Sequence, residues 1–314
     1  MENRYISAIK RLNKGLDRVA RAYNKPKLYF WLDALFASIG YGVTPNQYMA
    51  WHFYGYSALE RKRFYTHRHT KKIEKQLNDP KYADIFWDKA RFNAYFKEFV
   101  KRDWLDCRHA SIEEINQFLN SHTSILLKPI ALSSGKGIQV YRQETAAELK
   151  QKGFLLEEKI IQHPLLSSFN SSSVNSVRIY TLLDRKNISH VLSATLRVGN
   201  GGVVDNYHAG GIACPIDIET GIIYRLASNL FGEEFICHPT THIQLVGQKI
   251  PNWNKLKEFV FAACHKIVQA RLIAWDIAVL ENGFELIEGN YQGDPGMLQS
   301  PSKKGLYVEI KKYM

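Results

Sequence analysis

The pattern of apolar and polar positions changes near residue 120. Before that point apolar residues recur at helical spacing among many basic and aromatic residues, which predicts helices within residues 5–23, 48–77 and 86–105. Residues 28–43 are almost entirely apolar, are too few to span a bilayer comfortably and contain Asp33. We therefore predict a buried helix there, with contact to a membrane surface as the alternative.

After residue 120, short apolar runs alternate with amphipathic segments. Ser111 with Glu114, and Thr145 with Glu148, form capping-box patterns that predict helices ending near Asn120 and at Gly153. A further helix is predicted at 253–268. Strands are predicted at 124–130, 137–142, 154–160, 176–183, 189–198, 211–216, 222–226, 272–280 and 284–290. Helices interleaved with hairpins indicate an α+β architecture.

Composition narrows the class of protein. The 314 residues are 45% hydrophobic and 23% charged, as in ordinary globular proteins. The net charge of +12 favours acidic partners such as nucleotides, anionic sugars, lipid surfaces or nucleic acid, although a merely solvated basic surface is the alternative. Four scattered cysteines without a CxxC pair, and an N-terminal segment without the apolar core of a signal peptide, predict a cytoplasmic protein.

Two features, one in the first predicted strand and one in the loop after it, are suited to binding phosphate. Lys128 lies in the apolar run SILLKPI, where burying a lysine is costly without an anionic partner; reaching to solvent is the alternative. The following loop, with Ser134, Gly135, Lys136 and Gly137, lets backbone N–H groups approach phosphate oxygens, although a plain glycine turn has the same composition. The loop lacks the GxxxxGK[ST] pattern of a Walker A motif.

Other charged residues interrupt or end apolar strands. Glu157 and Glu158 end the third strand, where they are either surface charges or lie beside the edge of an adenine. Arg178 and Arg197 lie inside apolar strands, where their partners are either carboxylates or a phosphate.

The last two strands carry Asp276, Glu288 and Asn290. Two carboxylates and an amide oxygen are hard ligands of the kind that magnesium takes, together with waters and substrate phosphates. Pairing of the carboxylates with Arg178 or Lys128 is the alternative.

A shared metal site makes a demand on the final hairpin. Asp276 lies opposite Glu288 if residues 281–283 form a three-residue turn with a G1 bulge at Gly283, and not if Asn282-Gly283 forms the tighter two-residue turn. We therefore predict the bulged turn. The same register predicts a ligand-facing apolar floor of Ala274, Ala278, Leu280, Phe284 and Leu286.

The order of these segments resembles the sugar-transfer-associated ATP-grasp family found with polysaccharide biosynthesis genes. The resemblance runs from about Phe86 to Gln299. It rests on DK, LLKP, SSGKGI, LLEEKI, VNSVR, HAGG, WDIAV, LIEGN and GMLQ, in that order. It implies an ATP-grasp fold, with two α+β subdomains at 86–160 and 161–314 that sandwich ATP, preceded by a helical region at 1–85.

The resemblance also implies residue roles. Lys89 and Lys128 would hold the ATP phosphates, and Lys136 would lie in the loop that covers them. Arg178 and Arg197 would neutralise the charge of the transferred phosphate or of the acyl phosphate. The adenine pocket would be lined by Glu157, Glu158, Lys159 and Ile160. Asp276, Glu288 and Asn290 would bind magnesium, with Glu288 bridging two ions.

The implied activity is that of an ADP-forming carboxylate–amine ligase acting through an acyl phosphate. Its substrates would be a sugar acid, free or linked to a surface polysaccharide such as a capsule, and an amino acid or other amine. Two alternatives stay open: an ATP-grasp kinase for a sugar or alcohol, and a non-catalytic nucleotide- or nucleic-acid-binding protein. No motif for nucleic acid is present, so we expect no nucleic-acid partner.

Overall fold

A computed structural model describes residues 2–130, 137–201, 205, 210–229, 232–291, 293 and 295–314, except for the side chains of residues 2–5 and 7. The helices are α1 (Glu2–Tyr23), α2 (Lys27–Tyr41), α3 (Pro45–Ala50), α4 (Ala58–Arg61), α5 (His67–Leu77), α6 (Ala83–Trp87), α7 (Lys89–Tyr95), α8 (Ile112–Ser121), α9 (Ala146–Lys152), α10 (Pro164–Phe169), α11 (Trp253–Lys266), α12 (Pro295–Gln299) and α13 (Tyr307–Lys312), with 3-10 turns at Phe53–Gly55 and Pro80–Tyr82. The strands are β1 (Trp104–Asp106), β2 (Ile125–Pro129), β3 (Gln139–Val140), β4 (Phe154–Glu158), β5 (Val177–Leu183), β6 (Ser189–Val198), β7 (Ile212–Ile216), β8 (Ala227–Ser228), β9 (Glu234–Phe235), β10 (Leu272–Leu280) and β11 (Gly283–Asn290).

The N-terminal helices form a small core of their own, centred on Leu16, Phe30, Trp51 and Phe64. The predicted helical stretch 48–77 is broken into α3, α4 and α5, because His52 takes a left-handed conformation and Ser57 caps a new helix by accepting the Glu60 N–H. Among the helices that the structure describes, none has the length and apolarity needed to cross a membrane.

The prediction of a buried helix at 28–43 is wrong for one face of α2. Phe30, Ala34 and Ala37 pack inward, whereas Leu32 and Ile39 on the other face are exposed. The physical reason is that α1 and α3 contact α2 from one side, and nothing in the described part of the chain covers the other.

The helical region is joined to the C-terminal end of the chain. Tyr65 and Gln299 exchange two hydrogen bonds, N–H to Oε1 at 2.9 Å and Nε2 to the carbonyl at 2.8 Å. Trp51 donates to the Gly296 carbonyl. A Cβ atom on Gly305 would lie 2.5 Å from the Arg63 backbone, so the two segments touch backbone to backbone there. The helical region is therefore docked on the rest of the protein.

The smaller sheet has four described strands in the order β1-β4-β2-β3, all antiparallel. One face packs on α8 and α9 through Ile115, Leu127, Leu149 and Leu156. Both capping boxes form as predicted, and α9 ends at Gly153 in the left-handed conformation. The segment 86–105, predicted as one helix, contains the end of α6, then α7 up to Tyr95, and finally β1 from Trp104. Its last residues pair with β4 instead of continuing the helix.

The larger sheet has seven described strands in the order β11-β10-β5-β6-β7-β8-β9, again antiparallel. Its core face packs on α11 through Val260, Ile179, Leu196 and Trp275. The strand predicted at 222–226 is wrong, because that segment makes only isolated bridges and the ladder resumes at β8. Two sheets with helices confirm the α+β class, while the domain limits at residues 85 and 160 stay predictions.

The final hairpin confirms the pairing of Asp276 with Glu288, but the predicted three-residue turn at 281–283 is wrong. The turn is tight, with Leu280 opposite Gly283. The extra residue lies within β11, between the partners of Asp276 and Ile277 on β10, where the register shifts. The prediction that Phe284 and Leu286 belong to the ligand-facing apolar floor is therefore wrong. Both pair with residues of the opposite face of the sheet and pack in the core.

Candidate active site

Three strands of the larger sheet bring charged side chains into one row. β5 and β10 place Arg178 opposite Asp276, and β10 and β11 place Asp276 opposite Glu288. Asn290 shares the face of Glu288 because side chains alternate along a strand. The sheet thus brings together Arg178 and the three residues predicted to bind magnesium.

Gly289 allows helices to approach this row from the opposite face. A Cβ atom there would lie 2.8 Å from the Phe86 ring and 3.0 Å from the Phe92 ring, which is closer than such contacts normally come. The rings belong to α6 and α7, and α7 begins at Lys89. Glycine between Glu288 and Asn290 therefore lets the aromatic rings of α6 and α7 pack directly on the strand that carries the site.

Asp276 is buried between two arginines. Arg178 donates to both of its oxygens, from Nε and from NH2, at 2.6 Å each, and Arg197 NH1 donates to Oδ2 at 2.7 Å. Burial alone would raise the pKa of Asp276, but the two guanidinium charges outweigh burial and hold the pKa below its ordinary value. The pairing with Arg178, left open as an alternative by the sequence, is present in the structure.

Glu288 has a different environment. Its side chain is 39% exposed and its Oε1 lies 3.8 Å from Arg178 NH2. The pKa of Glu288 is raised, first by burial and then by the charge of Asp276, with which its carboxyl makes a hydrogen-bonding contact. A group in this state favours the arrival of a proton or a cation.

Arg197 is held from two sides by carboxylates. While NH1 contacts Asp276, NH2 donates to Asp205 Oδ1 at 2.8 Å. Asp205 Oδ2 in turn accepts from the backbone N–H of Ser176 at 3.0 Å and from its hydroxyl. Burial raises the pKa of Asp205, although Arg197 acts against this. Asp205 was not among the predicted site residues, because the sequence around it has no periodic apolar pattern.

Lys128 has the anionic partner that its burial requires. Its Nζ forms an ion pair with Glu157, and Arg102 Nε lies 2.8 Å from the same Glu157 oxygen. Burial acts to raise the pKa of Glu157, but the charges of Arg102 and Lys128 lower it far below its ordinary value. Glu157 is thus an internal counter-ion, and its side chain is 2% exposed.

Arg102 links the two sheets. Besides Glu157 on β4, it contacts Glu285 on β11, with NH1 2.6 Å from Oε1. Its NH1 also donates to the Leu286 carbonyl at 2.8 Å, and its NH2 to Asn93 Oδ1 at 3.2 Å. Arg102 and Glu285 were not among the predicted site residues. In the sequence, Arg102 resembles an ordinary basic surface residue after a helix.

Lys89 lies where the two sheets meet. Its Nζ donates to the carbonyls of Pro129 and Ile130 at 3.0 and 3.3 Å, which places it at the end of β2. Burial lowers its pKa, and the nearby charges of Glu288 and Lys128 act on it in opposite directions. The structure therefore brings Lys89 close enough to both Glu288 of the larger sheet and Lys128 of the smaller sheet for their charges to act on it.

The segment predicted to line an adenine pocket leaves β4 at its end. The backbone N–H groups of Glu158 and Lys159 donate to the carbonyls of Asp103 and Ser124, at 2.9 and 3.0 Å. The side chains of Glu158 and Lys159 are exposed, and Ile160 is half-buried. Glu157 therefore does not share the exposed position of its neighbours.

A sequence model of the family described as sugar-transfer associated ATP-grasp matches residues 146–313, more than half of the chain. The chain belongs to this family. The match contains Arg178, Arg197, Asp276, Glu288 and Asn290 and begins after Lys89 and Lys128. ATP-grasp enzymes use ATP and Mg²⁺.

Comparison with solved structures finds ATP-grasp proteins at low sequence identity. The ligase PsnB, bound to a phosphomimetic variant of its minimal precursor, Mg and ADP, is 12% identical, with a TM-score of 0.45 over 75% of this chain and 62% of that one. N5-carboxyaminoimidazole ribonucleotide synthetase with ADP is 10% identical, with a TM-score of 0.45 over 72% and 51%. D-alanine-D-alanine ligase from Helicobacter pylori is 13% identical, with a TM-score of 0.42 over 73% and 61%. The chain thus spans about half to three fifths of these proteins. No curated protein sequence matches it.

Part of the predicted ATP-grasp site lies outside the described residues. This holds for Ser134, Gly135 and Lys136 in the loop after β2. Gly137, the last residue of that loop pattern, is described and has a φ of 72°, a left-handed conformation that suits glycine.

The donor atoms of the larger sheet fit a magnesium ion unequally. Glu288 fits well, because its carboxylate is partly exposed and its pKa is raised by burial and by the charge of Asp276. Asn290 lies beside it, with Nδ2 3.5 Å from Glu288 Oε1. Asp276 already accepts three hydrogen bonds from arginines, of about four positions that a carboxylate offers. One position remains, on Oδ1, and because the carboxyl of Glu288 also contacts Asp276, a metal ion held by both residues would take the place of that contact.

Proposed function

We propose that this ATP-grasp protein is an ADP-forming carboxylate–amine ligase that acts through an acyl phosphate. The observation that carries the proposal is the position of Lys89, whose charge interacts with that of Lys128 on one side and that of Glu288 on the other. Glu288 belongs to the row that also contains Arg178 and Asp276. Such a set of fixed cations around a metal-binding carboxylate suits the transfer of a phosphoryl group, which needs positioning and charge neutralisation more than a protein nucleophile.

The nucleotide would lie between the sheets. We propose that Lys89 and Lys128 hold its phosphates, and that the loop with Ser134, Gly135, Lys136 and Gly137 covers them. Glu157 supports this by fixing Lys128 from inside the protein. Because the N–H groups of Glu158 and Lys159 are already bonded, we propose Ile160 as the backbone donor to adenine.

Glu288, Asn290 and the remaining position on Asp276 would hold magnesium, in one or two ions. Magnesium, when bound, neutralises the terminal phosphates and draws electron density from the phosphorus under attack. Asp276 has a second task in this proposal, because it fixes the guanidinium groups of Arg178 and Arg197 in a set orientation. The two arginines would then face the charge that develops on the transferred group.

In the proposed reaction a carboxylate oxygen of the substrate attacks the γ-phosphorus, the bond to the bridging oxygen breaks, and ADP leaves. An amine then attacks the acyl carbon, releases a proton and displaces phosphate to form an amide. We propose a sugar acid as the carboxylate, free or linked to a polysaccharide, and an amino acid or other amine as the acceptor. The sugar-transfer description of the family and the net charge of +12 support an anionic substrate. The proposed location is cytoplasmic.

The test is to screen ADP release against sugar acids, each with and without amino acids, in the presence of Mg²⁺ and ATP. With the correct acid, hydroxylamine should trap a hydroxamate while ADP accumulates. Glu288→Gln should lower turnover by at least about a hundredfold. The matched control Glu281→Gln, on the exposed turn of the same hairpin, should leave turnover unchanged. AMP with pyrophosphate would contradict the acyl phosphate, and a stable phosphorylated sugar without amide would indicate a kinase.

A further inference from the structure

The second helix of the protein is apolar on the side where a surface helix is normally polar. Five large apolar residues at helical spacing project from this face, and they are between 57% and 66% exposed. They are Leu28, Leu32, Leu35, Phe36 and Ile39. None of the exposed side chains of α2 is charged. A helix that is apolar all round is ordinarily enclosed by protein or lipid.

The orientation of α2 is fixed by its inner face, so the outer face cannot simply turn inward. Asp33 forms an ion pair with Arg61, with Oδ1 2.6 Å from NH1, and accepts a hydrogen bond from the Tyr48 hydroxyl at 2.7 Å. Phe30 and Ala37 fill the core beneath the helix. The apolar face is therefore held outward by contacts on the opposite side.

Basic residues border this face at both ends. Lys25 and Lys27 lie at the start of α2, and Arg68 at the start of α5 donates to the carbonyls of Ile39 and Gly40 in the last turn of α2. The exposed Lys71 follows one turn later on α5. Residues 1–80 contain fifteen Lys or Arg against six Asp or Glu, a net charge of +9 out of +12 for the whole chain. The apolar face is thus bordered at both ends by basic residues, of which Lys27 also pairs with Asp17, and it lies in a strongly basic region.

We propose that the outer face of α2 docks on an anionic phospholipid bilayer, with its apolar side chains inserted shallowly and the bordering lysines and arginines at the headgroups. A helix of 15 residues is about 22 Å long and lies in the plane of the interface. A second copy of this chain is a poorer partner for the face, because it would bring two strongly basic borders together. The docking would keep the protein at the membrane whichever substrate it uses.

The experiment is to sediment the full chain with vesicles of phosphatidylcholine alone or of phosphatidylcholine mixed with phosphatidylglycerol. The wild type should bind the anionic vesicles, and salt should weaken this binding. The double variant Leu35→Asp with Phe36→Asp should bind at least about a hundredfold less, since each buried side chain contributes roughly tenfold. Ile188→Asp, at a 52% exposed position in the β5–β6 turn, is the matched control and should bind like the wild type.

A variant with Lys71→Ser should lose roughly fivefold on anionic vesicles and little on neutral ones. Equal binding by the wild type and the Leu35→Asp, Phe36→Asp variant would overturn the proposal, because charge alone would then suffice. A concentration-dependent dimer that this variant abolishes, without binding of the wild type to vesicles, would also overturn it in favour of a second copy. Thermal melting of each variant confirms that the exposed substitutions leave the fold intact.

Discussion

Replacing Asp276 with asparagine and Glu288 with glutamine should separate two tasks that the sequence assigns to one site. The two residues lie opposite one another, yet Asp276 pairs closely with two arginines while burial and the charge of Asp276 raise the pKa of Glu288. We expect Asp276→Asn to lower the stability of the protein without any ligand. We expect Glu288→Gln to leave that stability unchanged or to raise it, and to abolish the stabilisation by magnesium and ATP.

The magnitude for Asp276→Asn follows from its burial. The side chain is 3% exposed and those of Arg178 and Arg197 are 11% exposed. Removing one partner of a buried ion pair costs about 3–5 kcal/mol. Arg197 retains Asp205, so we expect the lower end, about 3 kcal/mol. For a chain of 314 residues this corresponds to a fall in Tm of roughly 4–5 °C.

The effect of Glu288→Gln depends on pH, and its sign follows from the raised pKa of Glu288. A carboxyl whose pKa is raised on folding stabilises the fold while it is protonated, and this contribution is lost as pH rises through the folded-state pKa. Once the wild-type residue is charged it is therefore a cost, which solvent screening keeps small because the side chain is 39% exposed. The difference between variant and wild type should shrink as pH falls toward the ordinary glutamate pKa of about 4.3.

The assay is thermal unfolding of wild type and both variants without ligand, and with a hundredfold excess of magnesium-ATP over its Kd, which should stabilise the wild type by about 2.7 kcal/mol. Glu281→Gln serves as the control for Glu288→Gln, because it changes the same chemistry at an exposed turn. The reasoning is refuted if Glu288→Gln melts several degrees lower without ligand and keeps the nucleotide shift, because Glu288 would then be structural. It is equally refuted if Asp276→Asn melts like the wild type.

Three further predictions concern the surroundings of the site. Arg102→Leu leaves the carboxylates of Glu157 and Glu285 without their shared partner and should lower the free energy of unfolding in urea by at least about 3–5 kcal/mol. An equal loss for the control Lys101→Leu would contradict this. The affinity for magnesium-ATP should rise with pH above the ordinary glutamate pKa, measured by calorimetry, because the ion and a proton compete for Glu288. Gly289→Ala should weaken the affinity for magnesium-ATP, because the added Cβ would displace β11 from the Phe86 ring. If both the affinity and the Tm stay unchanged, the close packing has no role.

Much of the fold follows from local signals in the sequence. The capping boxes at Ser111 and Thr145 fixed the starts of α8 and α9, because the side chain that accepts the N–H and the glutamate that returns the contact lie three residues apart. Apolar runs likewise located the central strands. The limits of helices in the first 105 residues were harder to predict, since β1 is short and owes its existence to pairing with β4, a partner about fifty residues away.

The charged partners inside the protein could not be predicted from the sequence. Lys128 was singled out because its neighbours are apolar, and its need for a counter-ion was correct in kind. The identity of that counter-ion depends on which residue of β4 lies on the same face of the sheet as Lys128. The register gives that face to the buried Glu157 and the other face to the exposed Glu158. The partners of Arg102 were even harder to predict, because its two carboxylate partners come from different sheets.

One extra residue in β11 connects these observations. Strict alternation would put Glu285 and Glu288 on opposite faces, since they are three positions apart. The register shift beside Ile277 places Glu285 opposite Ala278 and Glu288 opposite Asp276, so that both carboxylates face the smaller sheet. Glu285 can then hold Arg102, which reaches Glu157, while Glu288 remains open toward Lys89. The bulge is therefore what lets a single strand both join the two sheets and present a carboxylate between them.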